Sequence, residues 1–241
     1  MEKRLILVMG LIAFLFLFWY LQGELSMKKM LILVIGLIAF AFLFWYFQGG
    51  PEKTSQQKTA ERLRAAAKAV DPEEQIRLYT RVIESDPKSA EAYNSRGNAY
   101  GRKGDYDKAI ADQNKAIELD PQDALAYHNR GNARNMKGDY DNAIADYTKA
   151  IELNPQDAHA YICRGVAYDG KRDHDQAIAD YTKAIELNPE DALAYNNRGA
   201  VFFEKKDYEK AWSDVKKCQA LGGQVNPDFL KALRQASGRN E

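Results

Sequence analysis

From Ala90 to Asp191 the alternation of apolar and polar positions repeats every 34 residues without a gap. Three copies, 90–123, 124–157 and 158–191, are followed by a diverging fourth at 192–225. Counted from the first Ala of each copy, apolar or small residues fall at positions 4, 8 and 11 (Tyr93, Gly97 and Tyr100). A second set falls at positions 20, 24 and 27 (Ala143, Tyr147 and Ala150 in the second copy). Each set is one stripe of a 3.6-residue period, so each copy predicts two amphipathic helices.

The joints between these helices are written in turn chemistry. Gly104-Asp105 and Gly138-Asp139 read as a helix-ending Gly followed by an N-cap Asp, and Pro121, Pro155 and Pro189 close the second helix of their copies. The later copies place Arg172 and Lys206 where the Gly stood and keep Asp173 and Asp207. Gly97, Gly131, Gly165 and Gly199 recur at position 8, inside a helix, where Gly costs about 1 kcal/mol relative to Ala. A loss repeated at one position implies close packing there, with Ala109, Ala143, Ala177 and Ala211 as the expected facing residues. One period upstream, 56–89 keeps Leu63, Ile76, Tyr79, Val82 and Pro87 in phase and reads as a degenerate copy. Downstream, Asn226-Pro227 opens a last helix over 226–237, whose Phe229, Leu230 and Leu233 are expected to cover Trp212.

Period, glycine register and closing prolines together resemble the tetratricopeptide repeat (TPR) family, and the resemblance covers roughly 90–221. It implies an all-α solenoid of about four full repeats, with a degenerate repeat before them and a capping helix after them. It implies a concave groove lined by the first helix of each pair, protein or peptide ligands, no cofactor and no catalysis. Members of the family that clamp a terminal carboxylate use three cations in that groove. Here Asn98 and Asn129 match the pattern, but Asn94, His159 and Cys163 stand at the cationic positions, so that ligand class is not expected.

Two rows of charge run through the repeats. Position 7 is Arg in all four (Arg96, Arg130, Arg164, Arg198) and position 23 is Asp in all four (Asp112, Asp146, Asp180, Asp214). Their parallel spacing predicts an ion pair tying the two helices of each repeat, in preference to a row of free cations that would hold anions. First-helix positions away from the 4/8/11 stripe carry Asn94, Asn98, His128, Asn129, Asn132, Asn135, His159, Cys163, Asn196 and Asn197. Amides offer donor and acceptor together without net charge, which suits the main chain of an extended segment. His159 and Cys163 are also i,i+4 on one helix, with His128 on the preceding first helix, which raises an alternative soft-metal or thiol-redox site. His174 stands where two copies have the Tyr of Gly-Asp-Tyr and reads as a packing substitution.

The first fifty residues carry a different repeat, of period 26. Two uncharged apolar runs, 5–21 and 30–47, each follow a basic start and end in Trp-Tyr (Trp19-Tyr20, Trp45-Tyr46). Each run is about 26 Å long as a helix, enough for a thin bilayer with interfacial aromatics, so one or two membrane anchors are expected, the setting being a bacterial inner membrane. Residues 51–59 form a polar linker. Two spans would place both termini in the cytoplasm by the positive-inside rule; a chain starting at Met27 would place the repeats outside. Lys+Arg and Asp+Glu are each 34, so there is no basic footprint for nucleic acid. Two cysteines, Cys163 and Cys218, are too few for a disulfide framework.

Overall fold

The computed structural model describes residues 54–239, together with the isolated positions Lys28, Ile32, Ile35, Gly36 and Ala39. The chain divides into two compact units, Met1–Gln56 and Gln57–Glu241, and the repeats occupy the second. Apart from the isolated positions, both apolar runs expected to cross a membrane lie outside the described residues. Among the described residues no helix is long and apolar enough to do so.

Eleven helices follow one another without a strand among the described residues. They are α1 (Ser55–Lys68), α2 (Pro72–Ser85), α3 (Ala90–Arg102), α4 (Tyr106–Leu119), α5 (Ala124–Met136), α6 (Tyr140–Leu153), α7 (Ala158–Gly170), α8 (His174–Leu187), α9 (Ala192–Glu204), α10 (Tyr208–Ala220) and α11 (Pro227–Ser237). The odd-numbered first helices, α3, α5, α7 and α9, each pack on their own second helix and on the second helix of the repeat before. Successive first helices also touch one another directly, which places them on the inner, tighter side of the stack.

The helix ends follow from local chemistry. After α3 the Asp105 amide donates to the Tyr100 carbonyl and the Gly104 amide to Gly101, the reversed turn that satisfies the last carbonyls of a helix. That turn needs a left-handed residue, and Gly104 and Gly138 supply it at φ 83° and 78°. Arg172 and Lys206 adopt the same conformation at φ 62° and 61° despite their side chains, the two strained positions of the array. The first helices are capped by the last residue of the repeat before: Asp123, Asp157 and Asp191 each accept from two amides of the first turn. The expected caps at Asp105 and Asp139 are only positional. Neither makes a side-chain bond to its helix amides; Asp105 takes Lys108 and Asp139 takes the Asn142 amide instead.

Packing revises the first-helix stripe. The buried positions are 3, 5, 8 and 10 (Ala92, Asn94, Gly97 and Ala99 in α3; Ala126, His128, Gly131 and Ala133 in α5), and the tyrosines at 4 and 11 are mostly half-exposed. A helix clasped between two second helices has two buried faces, and a single-stripe reading sees one. The close approach at position 8 includes the expected alanine in the outer copies, where a Cβ on Gly97 would lie 3.1 Å from the Ala109 carbonyl oxygen and one on Gly199 3.4 Å from that of Ala211. In the middle two a Cβ on Gly131 would lie 2.8 Å from the Tyr147 ring and one on Gly165 2.7 Å from Tyr181, so these two glycines chiefly make room for the position-24 ring. Both rings are buried to within 1% and have nowhere to retreat.

At the ends, α1 and α2 form the degenerate hairpin. Its Ala66, Tyr79, Val82 and Ile83 close over Ala92, with Leu63 packed against them. α11 seals the other end: Leu233 is fully buried beside Trp212, whose indole N–H donates to Ser237 Oγ at 2.9 Å, and Phe229 meets Phe203 edge-on.

Gly165→Ala will lower stability by about 1–2 kcal/mol, because overpacking exceeds the propensity gained, whereas Gly101→Ala, whose Cβ meets only Ala109 Cβ at 4.0 Å, will raise it. Urea unfolding of the two variants tests the pair. By the same measurement, Arg172→Gly and Lys206→Gly will each gain up to about 1 kcal/mol, since glycine carries no penalty in the left-handed turn.

Candidate functional site: the inner face of the repeats

The scaffold of this face is set by the arginine row. Arg96 donates to Asp112 through Nε at 2.7 Å and Nη2 at 2.8 Å, a two-pronged pair repeated at Arg130–Asp146, Arg164–Asp180 and Arg198–Asp214. The remaining nitrogen, Nη1, reaches back to the preceding repeat, to Thr80, Asn114, Thr148 or Thr182. Each guanidinium also lies 5.5–5.7 Å from the tyrosine one turn earlier, at Tyr93, Tyr127, Tyr161 or Tyr195. Hydrogen bonding to Asp180 raises the Arg164 pKa further above its ordinary value. With its donors engaged in this way, the row is not a ladder of free cations for anions.

The amide-bearing positions divide into two groups. Position 5 turns inward: Asn94 is buried, and its Nδ2 donates to Asp123 at 2.9 Å while its Oδ1 accepts from Asn129 at 2.8 Å. His128 is likewise buried, and Asn196 has an enclosed Oδ1. Asn94 and His128 do not face a ligand, because position 5 of α3 and α5 lies on the seam with the next first helix. Asn135 also has an enclosed Oδ1.

The outward group is Asn98, which is exposed, with half-buried Asn129, Asn132 and Asn197. Asn132 accepts from the Tyr147 hydroxyl at 2.7 Å, which leaves its Nδ2 free. Asn98, Asn129 and Asn132 line one depression of about 200 Å³, floored by Gly97, Gly101 and Ala133 and edged by Arg102 and Met136. Arg102 is held there by Gln75 and the Val70 carbonyl.

A second feature of this face escaped the sequence reading. Large exposed apolar side chains of the full repeats lie on first helices: Leu125 (59% exposed), Met136 (63%), Val166 (38%) and Leu193 (49%). They occupy positions 2, 13, 9 and 2, where other copies carry Glu91, Arg102, Asn98 or His159. The available signal was an apolar residue at a position polar in other copies.

His128, His159 and Cys163 come together on the same face, with one potential ligand atom from each within 4.8 Å of the others. Burial pushes the Cys163 thiol up to about 12. A thiol so protonated is a poor nucleophile, which argues against the redox form of the alternative. His174 is more than a packing substitution: its Nδ1 lies 3.1 Å from Asp169 Oδ1 and its Nε2 3.6 Å from Glu204.

Stacked helical hairpins with a furnished inner face define a repeat scaffold of the kind suited to binding proteins or peptides. Models of the tetratricopeptide repeat match residues 90–123, 124–157 and 146–179, and a TPR repeat model matches 173–211. The solved structure of MamA is 32% identical and covers 63% of this chain and 89% of its own, with a TM-score of 0.59. The chain belongs to the tetratricopeptide repeat family. MamA from Desulfovibrio magneticus RS-1, at 24% identity, 70% and 96% coverage and TM-score 0.65, shares the fold. So does YrrB, described as a TPR protein with an unusual peptide-binding site, at 23% identity, 73% and 88% coverage and TM-score 0.58. No curated protein matches the chain at a significant level. Proteins of this family typically serve as non-enzymatic interaction scaffolds.

Asp180→Asn will leave the largely buried Arg164 guanidinium without its counter-charge and lower stability by about 3 kcal/mol. Arg164→Met combined with Asp180→Leu will lose much less, as a double-mutant unfolding cycle will show.

Proposed function

We propose that this protein is a membrane-tethered adaptor that holds an extended segment of a partner protein along the inner face of its repeats. The observation that carries this reading is the placing of Leu125, Met136, Val166 and Leu193, exposed on the set of first helices that also carries Asn98 and Asn132. An apolar side chain left in water within a row of polar positions marks a contact surface. The depression bounded by Asn98, Asn129, Asn132 and Met136 offers amides to a peptide backbone and a thioether to a side chain. No cationic clamp is present for a terminal carboxylate, so an internal segment is the expected ligand.

Tethering is the work of the apolar runs 5–21 and 30–47, with the bacterial inner membrane as the setting. Six basic residues flank the outer ends of the two runs against Lys28 and Lys29 between them, which favours a cytoplasmic repeat array for the full chain. A tether would confine the groove to partners at the membrane surface and raise their effective concentration.

The test is selection of unstructured displayed peptides on the full chain in detergent. Selected peptides will bind the native chain and lose about tenfold or more on Asn98→Ala with Asn132→Ala, two hydrogen bonds of about 1 kcal/mol each. Met136→Glu will weaken them comparably. Equal binding to these variants, or no selected peptide at all, removes the groove reading. Membrane fractionation of the chain with and without residues 1–50 tests the tether separately.

A further inference from the structure

The seam between consecutive first helices is built to one plan, and one copy of it departs from the plan. At the α3–α5 seam the position-5 side chain, Asn94, is saturated by the cap Asp123 and by Asn129 at position 6 of the next helix. At the α5–α7 seam the same two positions are His128 and Cys163, and His159 joins them from position 2. The polar closure is gone: His128 is 7% exposed, and its Nδ1 is enclosed with no hydrogen-bond partner. A buried imidazole nitrogen left unpaired costs about 1–3 kcal/mol, so it calls for a partner other than those the chain provides.

The neighbours available to it form a ligand set. Cys163 Sγ lies 3.6 Å from His159 Nε2, and the two imidazole rings lie 5.3 Å apart between centroids. All three ligand atoms fall within 4.8 Å of one another. In a tetrahedral site with metal–nitrogen bonds near 2.0 Å and a metal–sulfur bond near 2.3 Å, ligand atoms stand about 3.3–3.6 Å apart. The Cys163–His159 pair already has that spacing, and exposed His159 is free to adjust toward His128. Burial, and secondarily the neighbouring His159, hold the His128 imidazole below its ordinary range, so it is in the neutral form that ligates metals.

We infer that His128, His159 and Cys163 form a site for one borderline-soft divalent cation, zinc foremost, with solvent as the fourth ligand. Two imidazoles and one thiolate favour zinc over calcium or magnesium, which take oxygen. Binding ionises the thiol, so uptake of the ion releases the thiol proton at neutral pH. The ion would pin α5 to α7 on the inner face, whether or not a peptide occupies the groove. The second cluster, Asp169, His174 and Glu204, is different in kind: His174 is already hydrogen-bonded to Asp169 and has no orphaned atom.

The test uses the full chain in detergent, titrated with zinc against a chromophoric chelator and with cobalt(II) as a spectroscopic probe. The variants restore side chains native to other repeats at the same positions: His128→Asn as at Asn94, Cys163→Asn as at Asn129, and His159→Leu as at Leu125. Each substitute is native to its position in a neighbouring repeat, so the array will remain folded. The native chain will take up one equivalent of zinc and show a thiolate-to-cobalt charge-transfer band. Each variant will lose about 100-fold or more in affinity, Cys163→Asn will lose the band, and His174→Tyr will change neither. Binding of less than one equivalent, binding undiminished in Cys163→Asn, or binding abolished by His174→Tyr overturns the assignment.

Discussion

The repeat array depends on a guanidinium shared by three helices. Each position-7 arginine grips the aspartate of its own second helix with two nitrogens and reaches the preceding second helix with the third. A hydrophobic seam alone would let helices slide, since small alanines fill many of the buried positions and offer little shape to register against. The planar fork fixes both distance and angle against a buried carboxylate. Around this joint the weaker contacts fall into place. The tyrosine beneath the guanidinium, the glycine packed against the second helix, and the exposed lysines paired across repeats (Lys137–Asp107, Lys171–Asp141, Lys205–Asp175) all repeat with it. Those outer lysine pairs lie in solvent and contribute little individually; the enclosed arginine pairs set the geometry.

Much of this was legible in the sequence because repetition turns one chain into several trials of the same experiment. A single arginine sixteen residues before an aspartate means little; four such pairs in register predict a contact. The parts that were not legible share a cause. Periodicity assigns one buried face to a helix, whereas α3, α5, α7 and α9 are each enclosed on two sides. Asn94 and His128 therefore look like groove residues in sequence and lie in the seam in space. Leu125 and Met136, apolar at positions that are polar in other copies, lie in water. Of the aspartates read at the starts of second helices, Asp173 and Asp207 accept from a first-turn amide and Asp105 and Asp139 hold the cap position without that bond; the residue that caps each of α5, α7 and α9 belongs by count to the end of the repeat before it.

The inner face therefore combines two kinds of chemistry on one frame. Asn98, Asn129, Asn132 and Met136 gather at the α3–α5 end, and the histidine–cysteine cluster sits one seam further along. The frame beneath them is the same at both places, with the same arginine joint and the same glycine clearance. What changes is a handful of side chains at positions 2, 5, 6, 9 and 13, which the joint leaves free to vary. That separation between a fixed frame and a variable lining is how a uniform solenoid acquires distinct addresses along its length.

The arginine joint also bears on how such a chain can change its length over generations. Because the arginine, its aspartate and the preceding hydroxyl or amide oxygen recur at one spacing, recombination between two copies in frame rejoins a complete joint at the crossover, whichever copies are involved. Gain or loss of a whole repeat is thus tolerated by the frame. The linings do not share this tolerance. His128 and His159 with Cys163 belong to different copies: removing either copy would delete part of the set, and inserting another between them would separate them by a full helical hairpin. In lineages where the array lengthens or shortens, the scaffold would persist and the adjacency of neighbouring copies would be the inherited quantity at risk.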